Sequence, residues 1–338
     1  MKRLLPFLFL LILAGCTEQR NPSVNVNANP GLAEKIAVNL IAPWSIDFDG
    51  EHFFISEKGG AVVKVWGDGQ ILREEVFLSE PLANVAESGL LGFVLKKDFL
   101  KSHEAYAYYT YDLDGTPVNR IVTLRYDGNS WHEKDILLDG IVSGPVHHGG
   151  RLALSPNGIL YATIGDGANP DSAQDTNLFN GKIIRLTDDN TFELVSIGHR
   201  NSQGLAWDES GVLYASEHGQ SANDEINKIE AGNNYGWPII EGTELGEGME
   251  TPLITSGTSE TWAPSGITFH KGLLYVAALR GEAILIIDPL DGKLLKKIEG
   301  YGRIRDVFSD GESFYFITNN TDGRGEPAED DDVLYRLE

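Results

Sequence analysis

One pattern recurs six times along the 338 residues, and it dictates what the chain can fold into. Each copy has a small or turn residue, a short apolar strand, a polar turn, and a strand rich in aromatic and β-branched residues. The copies are PWSIDFDGEHFFISE from Pro43, GLLGFVLKKDFLKSHEAYAYYTYD from Gly89, GGRLALSPNGILYATIGD from Gly149, QGLAWDESGVLYASEHG from Gln203, SGITFHKGLLYVAALRG from Ser265 and RDVFSDGESFYFITNN from Arg305. Each leads into a further apolar strand, such as AVVKVW at Ala61, GKIIRL at Gly181 or AILIID at Ala283. The copies start roughly 40 to 60 residues apart, the length of a four-stranded sheet. Sheets of this kind cover their apolar faces by stacking on one another around an axis. The chain therefore reads as all-β, a six-bladed β-propeller of four-stranded antiparallel sheets spanning residues 34–338. EKIAVNL from Glu34 would complete the last sheet beside DDVLYRL and close the ring. A pair of sandwiched sheets is the structural alternative, but it has no need of a sixfold repeat.

The beginning of the chain follows another logic. Lys2 and Arg3 precede an apolar run from Leu4 to Leu13 that is too short to span a bilayer as a helix. Leu13-Ala14-Gly15-Cys16 resembles the lipobox of bacterial lipoproteins, and Cys16 is the only cysteine. That signal implies export, cleavage of residues 1–15, and lipidation of Cys16. The protein would then be held at the cell envelope, on the periplasmic face of an outer membrane or at the cell surface, with the lipid as its sole membrane attachment. Residues 16–33, rich in Asn and Pro, read as a flexible tether. Beyond residue 16 disulfides and thiolate metal sites are excluded, so any metal would be held by oxygen or imidazole, which favours Ca²⁺. With 27 Lys+Arg against 50 Asp+Glu and a net charge of −23, a nucleic-acid partner is excluded.

The stretch from Val146 to Asp166 carries the most chemistry. His147 stands at the entrance of one strand of a hairpin and Asp166 at the exit of the next, and those ends are neighbours in an antiparallel pair. A carboxylate that orients an imidazole is the usual build of a general base, although such a pair can also simply tie off a hairpin. Equivalent strand ends in the other repeats carry Glu87, Arg200, Asn201, the segment from Glu217 to Asn227, Arg280, Arg303 and Arg305. In a propeller these ends gather at one mouth of the central channel. Four arginines converging there in an acidic protein point to an anionic ligand, although single arginines at strand ends also pair with neighbouring carboxylates.

HHGGRLALSPNGILYATIGD, GHRNSQGLAWDESGVLYASEHG, DEINKIEAGNNYGWP, APSG and GRIRDV resemble, in order, the motifs of the glucose/sorbosone dehydrogenase family, from about Pro43 to Leu337. The resemblance implies a six-bladed propeller that oxidises aldoses at C1 to the aldonolactone with pyrroloquinoline quinone (PQQ) and Ca²⁺, passing electrons to an external acceptor. It places His147 as general base, Asp166 as its orienting carboxylate, and Arg200 and Asn201 beside the reactive quinone carbonyl. Arg200 would also stabilise the negative charge that develops there. Arg280, Arg303 and Arg305 would face the cofactor's carboxylates. The carbonyls of Gly219 and Gln220 would hold the catalytic Ca²⁺, while Glu225 and Tyr235, with Asp224 nearby, would form a second, structural Ca²⁺ site.

The chain departs from the family in four places. Glu87 stands where the best-known members carry Gln, putting an extra negative charge toward the cofactor. Gln220 replaces Pro. The segment from Thr251 to Trp262 is short where a substrate-contacting aromatic loop would lie, so Trp262 is either a stacking surface for a sugar ring or a core or rim residue. The whole chain is compact, which suggests an open cleft. Two other readings compete: a Ca²⁺-dependent hydrolase of the lactonase type, which does not explain Arg280, Arg303 and Arg305, and a non-catalytic propeller lipoprotein that binds a glycan or a protein. Nucleophile elbows, zinc HExxH motifs and phosphate-cradling loops are absent from the sequence.

Overall fold

The computed structural model describes residues 33–337; the signal segment, Cys16 and all of the tether but its last residue lie outside them. Four antiparallel sheets of four strands form separately, and one sheet has eight strands. The eight-stranded sheet is two antiparallel meanders, residues 43–77 and 90–142, joined by a short parallel pairing of Val76 with Trp131 and Phe77 with His132. This differs from the expectation of wholly separate sheets. The contact is made where Trp131–Val142 begins, beside the turn that joins it to Thr116–Tyr126, and it meets the end of the edge strand Ile71–Phe77. Trp131 is fully buried there, packed against Phe54, Phe93 and Phe99.

The first strands of the repeats are Pro43–Phe48, Leu90–Leu95, Gly149–Leu154, Ser202–Trp207, Pro264–His270 and Ile304–Ser309. Each packs against the next and the last against the first, so they line a closed channel. Glu34–Ala37 pairs with Leu334–Leu337, so one sheet is built from both ends of the described chain, as the sequence predicts. The second strands explain why the repeats contain apolar runs rather than a strict alternation. Phe53–Glu57, Leu213–Glu217 and Phe314–Thr318 are buried at every residue because a neighbouring sheet covers each face. Apolar clusters accordingly lie between adjoining sheets, for example Phe53, Ile55, Tyr315 and Ile317 between the first and last.

The channel is floored by charge. At the third residue of the inner strands stand Ser45, Gly92, Arg151, Gly204, Gly266 and Asp306. The small residues allow close approach: a Cβ on Gly266 would sit 1.7 Å from Asp306 Oδ1. Arg151 Nη1 donates to Asp306 Oδ2 at 2.8 Å from the opposite side of the ring, and Arg151 Nε donates to the Gln203 carbonyl. Asp306 Oδ2 also accepts the Ile46 N–H at 2.9 Å. Both side chains are more than nine-tenths buried. Burial raises the Asp306 carboxyl pKa, and the Arg151 charge and the N–H donors oppose that rise. Removing one partner strands the other, so Arg151→Met is expected to cost about 3–5 kcal/mol by chemical denaturation, and Arg151→Met with Asp306→Asn clearly less than the sum of the two single changes.

Candidate active site

His147 precedes the inner strand Gly149–Leu154, and Asp166 follows Leu160–Ile164; Gly149 pairs with Ile164, so the hairpin brings both to one end of the channel. His147 adopts φ 63°. Its carbonyl comes so close to Gly165 that a Cβ there would lie 1.9 Å away, which fixes glycine at that position. His147 Nδ1 is 2.8 Å from Asp166 Oδ1. Asp166 also accepts the Ala168 N–H and, through Oδ2, the Trp237 indole N–H at 2.9 Å. A carboxylate can only accept, so Nδ1 is the donor in this contact, and in the neutral imidazole Nε2 is the nitrogen with the lone pair. Asp166 is fully buried, whereas the His147 side chain stays 17% exposed.

His147 lines a cavity of about 500 Å³ together with Glu87, Arg200, Asn201, Gly219 and Gln220. Arg280 stands exposed at its rim, and Arg303 forms part of the wall. The Glu87 carboxylate accepts the His147 backbone N–H at 2.8 Å and pairs with Arg324 at 3.5 Å. Burial would raise its pKa, but the His147 N–H and the charges of His218 and Arg324 outweigh burial and hold it below the usual value. Arg200 lies over the Trp237 ring at 5.4 Å, and its backbone N–H is fixed by the buried carboxylate of Glu217, which also binds His199. Arg303 pairs with Asp322 at 3.1 Å.

Two sequence expectations change. Arg305 does not line this cavity; it lies one layer below, where it donates to Gln203, Ser265 and Asn319, and burial lowers its pKa to about 10. Trp262 is 2% exposed and packs in the apolar cluster between two sheets, so it offers no stacking surface. Its backbone instead ties the loops together: its N–H donates to Asp224 and its carbonyl accepts from Arg280 and Gly281. Asp224 likewise acts as an anchor, taking the N–H groups of Gly219, Trp262 and Ala263 and the hydroxyl of Thr261. That leaves its Oδ2 no capacity for a metal.

Several groups fit an absent polar ligand and cation. Asn201 Nδ2, Arg200 Nε and His218 Nε2 are buried and unpartnered on or beside the cavity. Among the described residues, the carbonyls of Gly219 and Gln220 accept no backbone hydrogen bond. Glu225 is held by Asn227 and the Gly242 N–H, and its pKa is raised to about 8 by burial and by Glu217. Tyr235 stacks on His199 at 5.0 Å, with its hydroxyl on the Lys228 carbonyl. No group of three His, Cys, Asp or Glu side chains is gathered for a metal among the described residues. Trp237 and Arg324 were not singled out from the sequence, and His218 only as part of the segment from Glu217 to Asn227. Trp237 lay in the GNNYGWP motif, while Arg324 sits in a Gly- and acid-rich stretch that carries no strand pattern.

His148, next to His147, points inward: Nδ1 meets Ser143 and Asn119, and Nε2 is unpartnered. Burial lowers its pKa to about 4. The unfolded chain takes up this proton first as pH falls, so this site costs the fold stability from near pH 6.5 down to about 4, by roughly 3 kcal/mol at the acid end. The gap in melting temperature between the wild type and His148→Asn should therefore narrow, then reverse in favour of the variant, as pH drops through that window.

Comparison with known proteins places this arrangement. A glucose/sorbosone dehydrogenase family model matches residues 40–334. The structure of a PQQ-bound aldose sugar dehydrogenase from Streptomyces coelicolor is 35% identical, with a TM-score of 0.83 over 90% of this chain and 96% of that one. Escherichia coli aldose sugar dehydrogenase YliI is 28% identical, over 86% of this chain and 90% of its own length. Quinoprotein glucose dehydrogenase B of Acinetobacter calcoaceticus is 33% identical over 52% of this chain and 47% of its own.

Proposed function

The chain belongs to the glucose/sorbosone dehydrogenase family, and from that premise we propose that it is a PQQ- and Ca²⁺-dependent aldose dehydrogenase on a six-bladed propeller, each half of the eight-stranded sheet being one blade. The observation that carries this reading is His147: its Nδ1 is tied to Asp166 and its Nε2 is free at a cavity that also presents Arg200, Arg280 and Arg303.

PQQ, when bound, supplies the carbonyl that accepts the C1 hydride, and Ca²⁺ on the Gly219 and Gln220 carbonyls would polarise it. His147 Nε2 takes the proton from the anomeric hydroxyl, and Asp166 stabilises the imidazolium that results. Arg200, held by Glu217 and Trp237, places its guanidinium where negative charge develops. Asn201 presents its unpartnered amide N–H, and Arg280 and Arg303 attract carboxylates. Arg305 supports the wall from below, and Arg324 takes the rim position beside Glu87. The product is the aldonolactone, and an external acceptor regenerates the enzyme. Glu225 and Tyr235 would serve a second Ca²⁺. A lactonase would gather side-chain carboxylates around its metal, which the described residues do not do. The same reading includes acylation of Cys16 and attachment at the cell envelope.

Reconstitution tests the proposal. The purified chain with PQQ and Ca²⁺ should reduce a dye only when an aldose is present. His147→Ala should lower kcat by about two to four orders of magnitude while retaining PQQ binding by calorimetry. Asp166→Asn should fall nearly as far, and Trp262→Phe should alter stability but not KM. Absence of PQQ binding in the wild type would overturn the reading.

A further inference from the structure

The mouth of the cavity is asymmetric in charge, and the two chain segments that build one side of it contribute no cation of their own, Lys297 from a neighbouring strand pairing with Glu260. From residue 229 to 270 the chain has six glutamates and no Lys or Arg, and from 152 to 181 it has three aspartates and again no Lys or Arg. These stretches are distant in sequence but joined in the fold. Gln174, at the end of the short helix Pro170–Gln174, donates to Asn234 Oδ1 and to the Trp237 carbonyl, and Asn234 donates back to it. Trp237 in turn holds Asp166 of the base pair. The joined loops therefore form the rim directly beside His147.

What this rim shows to solvent is specific. Asp171, Asp175, Glu244, Glu247 and Glu250 are exposed, and none of them forms an ion pair among the described residues. Between them project apolar side chains: Leu245 is 87% exposed, Ile239 60% and Leu178 42%. The loop is nevertheless built. Glu241 N–H donates to Glu244, Asn233 donates to Glu250, and the Glu250 N–H caps the Asn234 carbonyl. The opposite rim, with Arg280, Glu282 and Arg324, is mixed in sign. Exposed aliphatic residues ringed by unpaired like charges suit a protein partner of the opposite charge, steered by the field and seated by apolar contact.

We propose that this rim is the docking surface for the electron acceptor, and that the acceptor is a small, positively charged one-electron carrier protein. The inference rests on the dehydrogenase reading. One turnover leaves two electrons and two protons on the reduced cofactor. Two oxidised carriers, docking one after the other, each take one electron, and the two protons pass to water. The carrier need not enter the cavity, because Trp237 and Ile239 bring the rim within a few residues of the base.

The test uses the full chain loaded with PQQ and Ca²⁺, an aldose, and two acceptors in parallel: a basic c-type cytochrome and a small neutral dye. Glu244→Gln/Glu247→Gln/Glu250→Gln should slow cytochrome reduction about tenfold at low ionic strength and leave dye reduction and the sugar KM unchanged. Raising salt from about 10 to about 200 mM should slow the wild type with cytochrome far more than the variant. A control removes as many charges from exposed turns at the other end of the channel, Glu51→Gln/Glu209→Gln/Glu312→Gln, and should keep most of the cytochrome rate. Equal cytochrome rates in the rim variant and wild type, or equal losses in the rim and control variants, would overturn the proposal. Should neither acceptor be reduced, the dehydrogenase reading fails. Calorimetric binding of the cytochrome at low salt then decides the surface alone: weaker binding only in the rim variant supports it, and unchanged binding overturns it.

Discussion

The ion pair between Arg151 and Asp306 joins the third and sixth repeats across the axis of the ring, and much of the molecule is arranged to permit it. A charge pair in a protein interior is tolerated when most of its remaining donors and acceptors are occupied. Here the Gln203 carbonyl and the Ile46 N–H, from two further inner strands, take up one donor and one acceptor, and Arg151 Nη2 alone stays buried without a partner. Trp44 lies under the Arg151 guanidinium at 4.4 Å and close to that of Arg305. Glycine at the neighbouring positions of the ring leaves room for these long side chains. The same layer supports Arg305, which stiffens the wall of the cavity above. Polar groups that would be hazardous in most cores thus set the spacing of the inner strands and the depth of the site.

Above that layer, the site is assembled from loops that report to one another. Asp166 is the meeting point, because His147, Ala168 and Trp237 all bond to it and Arg200 covers Trp237. Asp224 does the same for the loops at 219 and 261–263. Each carboxylate immobilises a loop by satisfying backbone donors, and the free side chains stand on those loops. Orientation is therefore established before any ligand arrives, which is the condition for electrostatic catalysis.

The sequence made the repeat and the His147–Asp166 contact legible, because they follow from a local period and a hairpin, and the closure through Glu34–Ala37 because the repeat leaves the last sheet one strand short. The merging of two sheets was hidden, since it depends on the turn before Trp131 lying against the end of Ile71–Phe77, a pairing remote in sequence. Trp262 could not be placed from sequence either. An aromatic residue next to a loop is compatible with a rim or a core, and the choice is made by the neighbouring sheet. Arg305 was read one layer too high: it sits two residues after Arg303, and alternation along a strand sends residues i and i+2 to the same face but at different depths. Trp237 and Arg324 escaped because their partners, Asp166 and Glu87, are 71 and 237 residues away.

Because the channel has a floor, small molecules exchange with the His147 cavity through a single opening. Donor, product and any diffusible oxidant share that doorway, so the two half-reactions of an oxidation there must take turns. Double-reciprocal plots for such a site are parallel lines, and an excess of either small reactant obstructs the other.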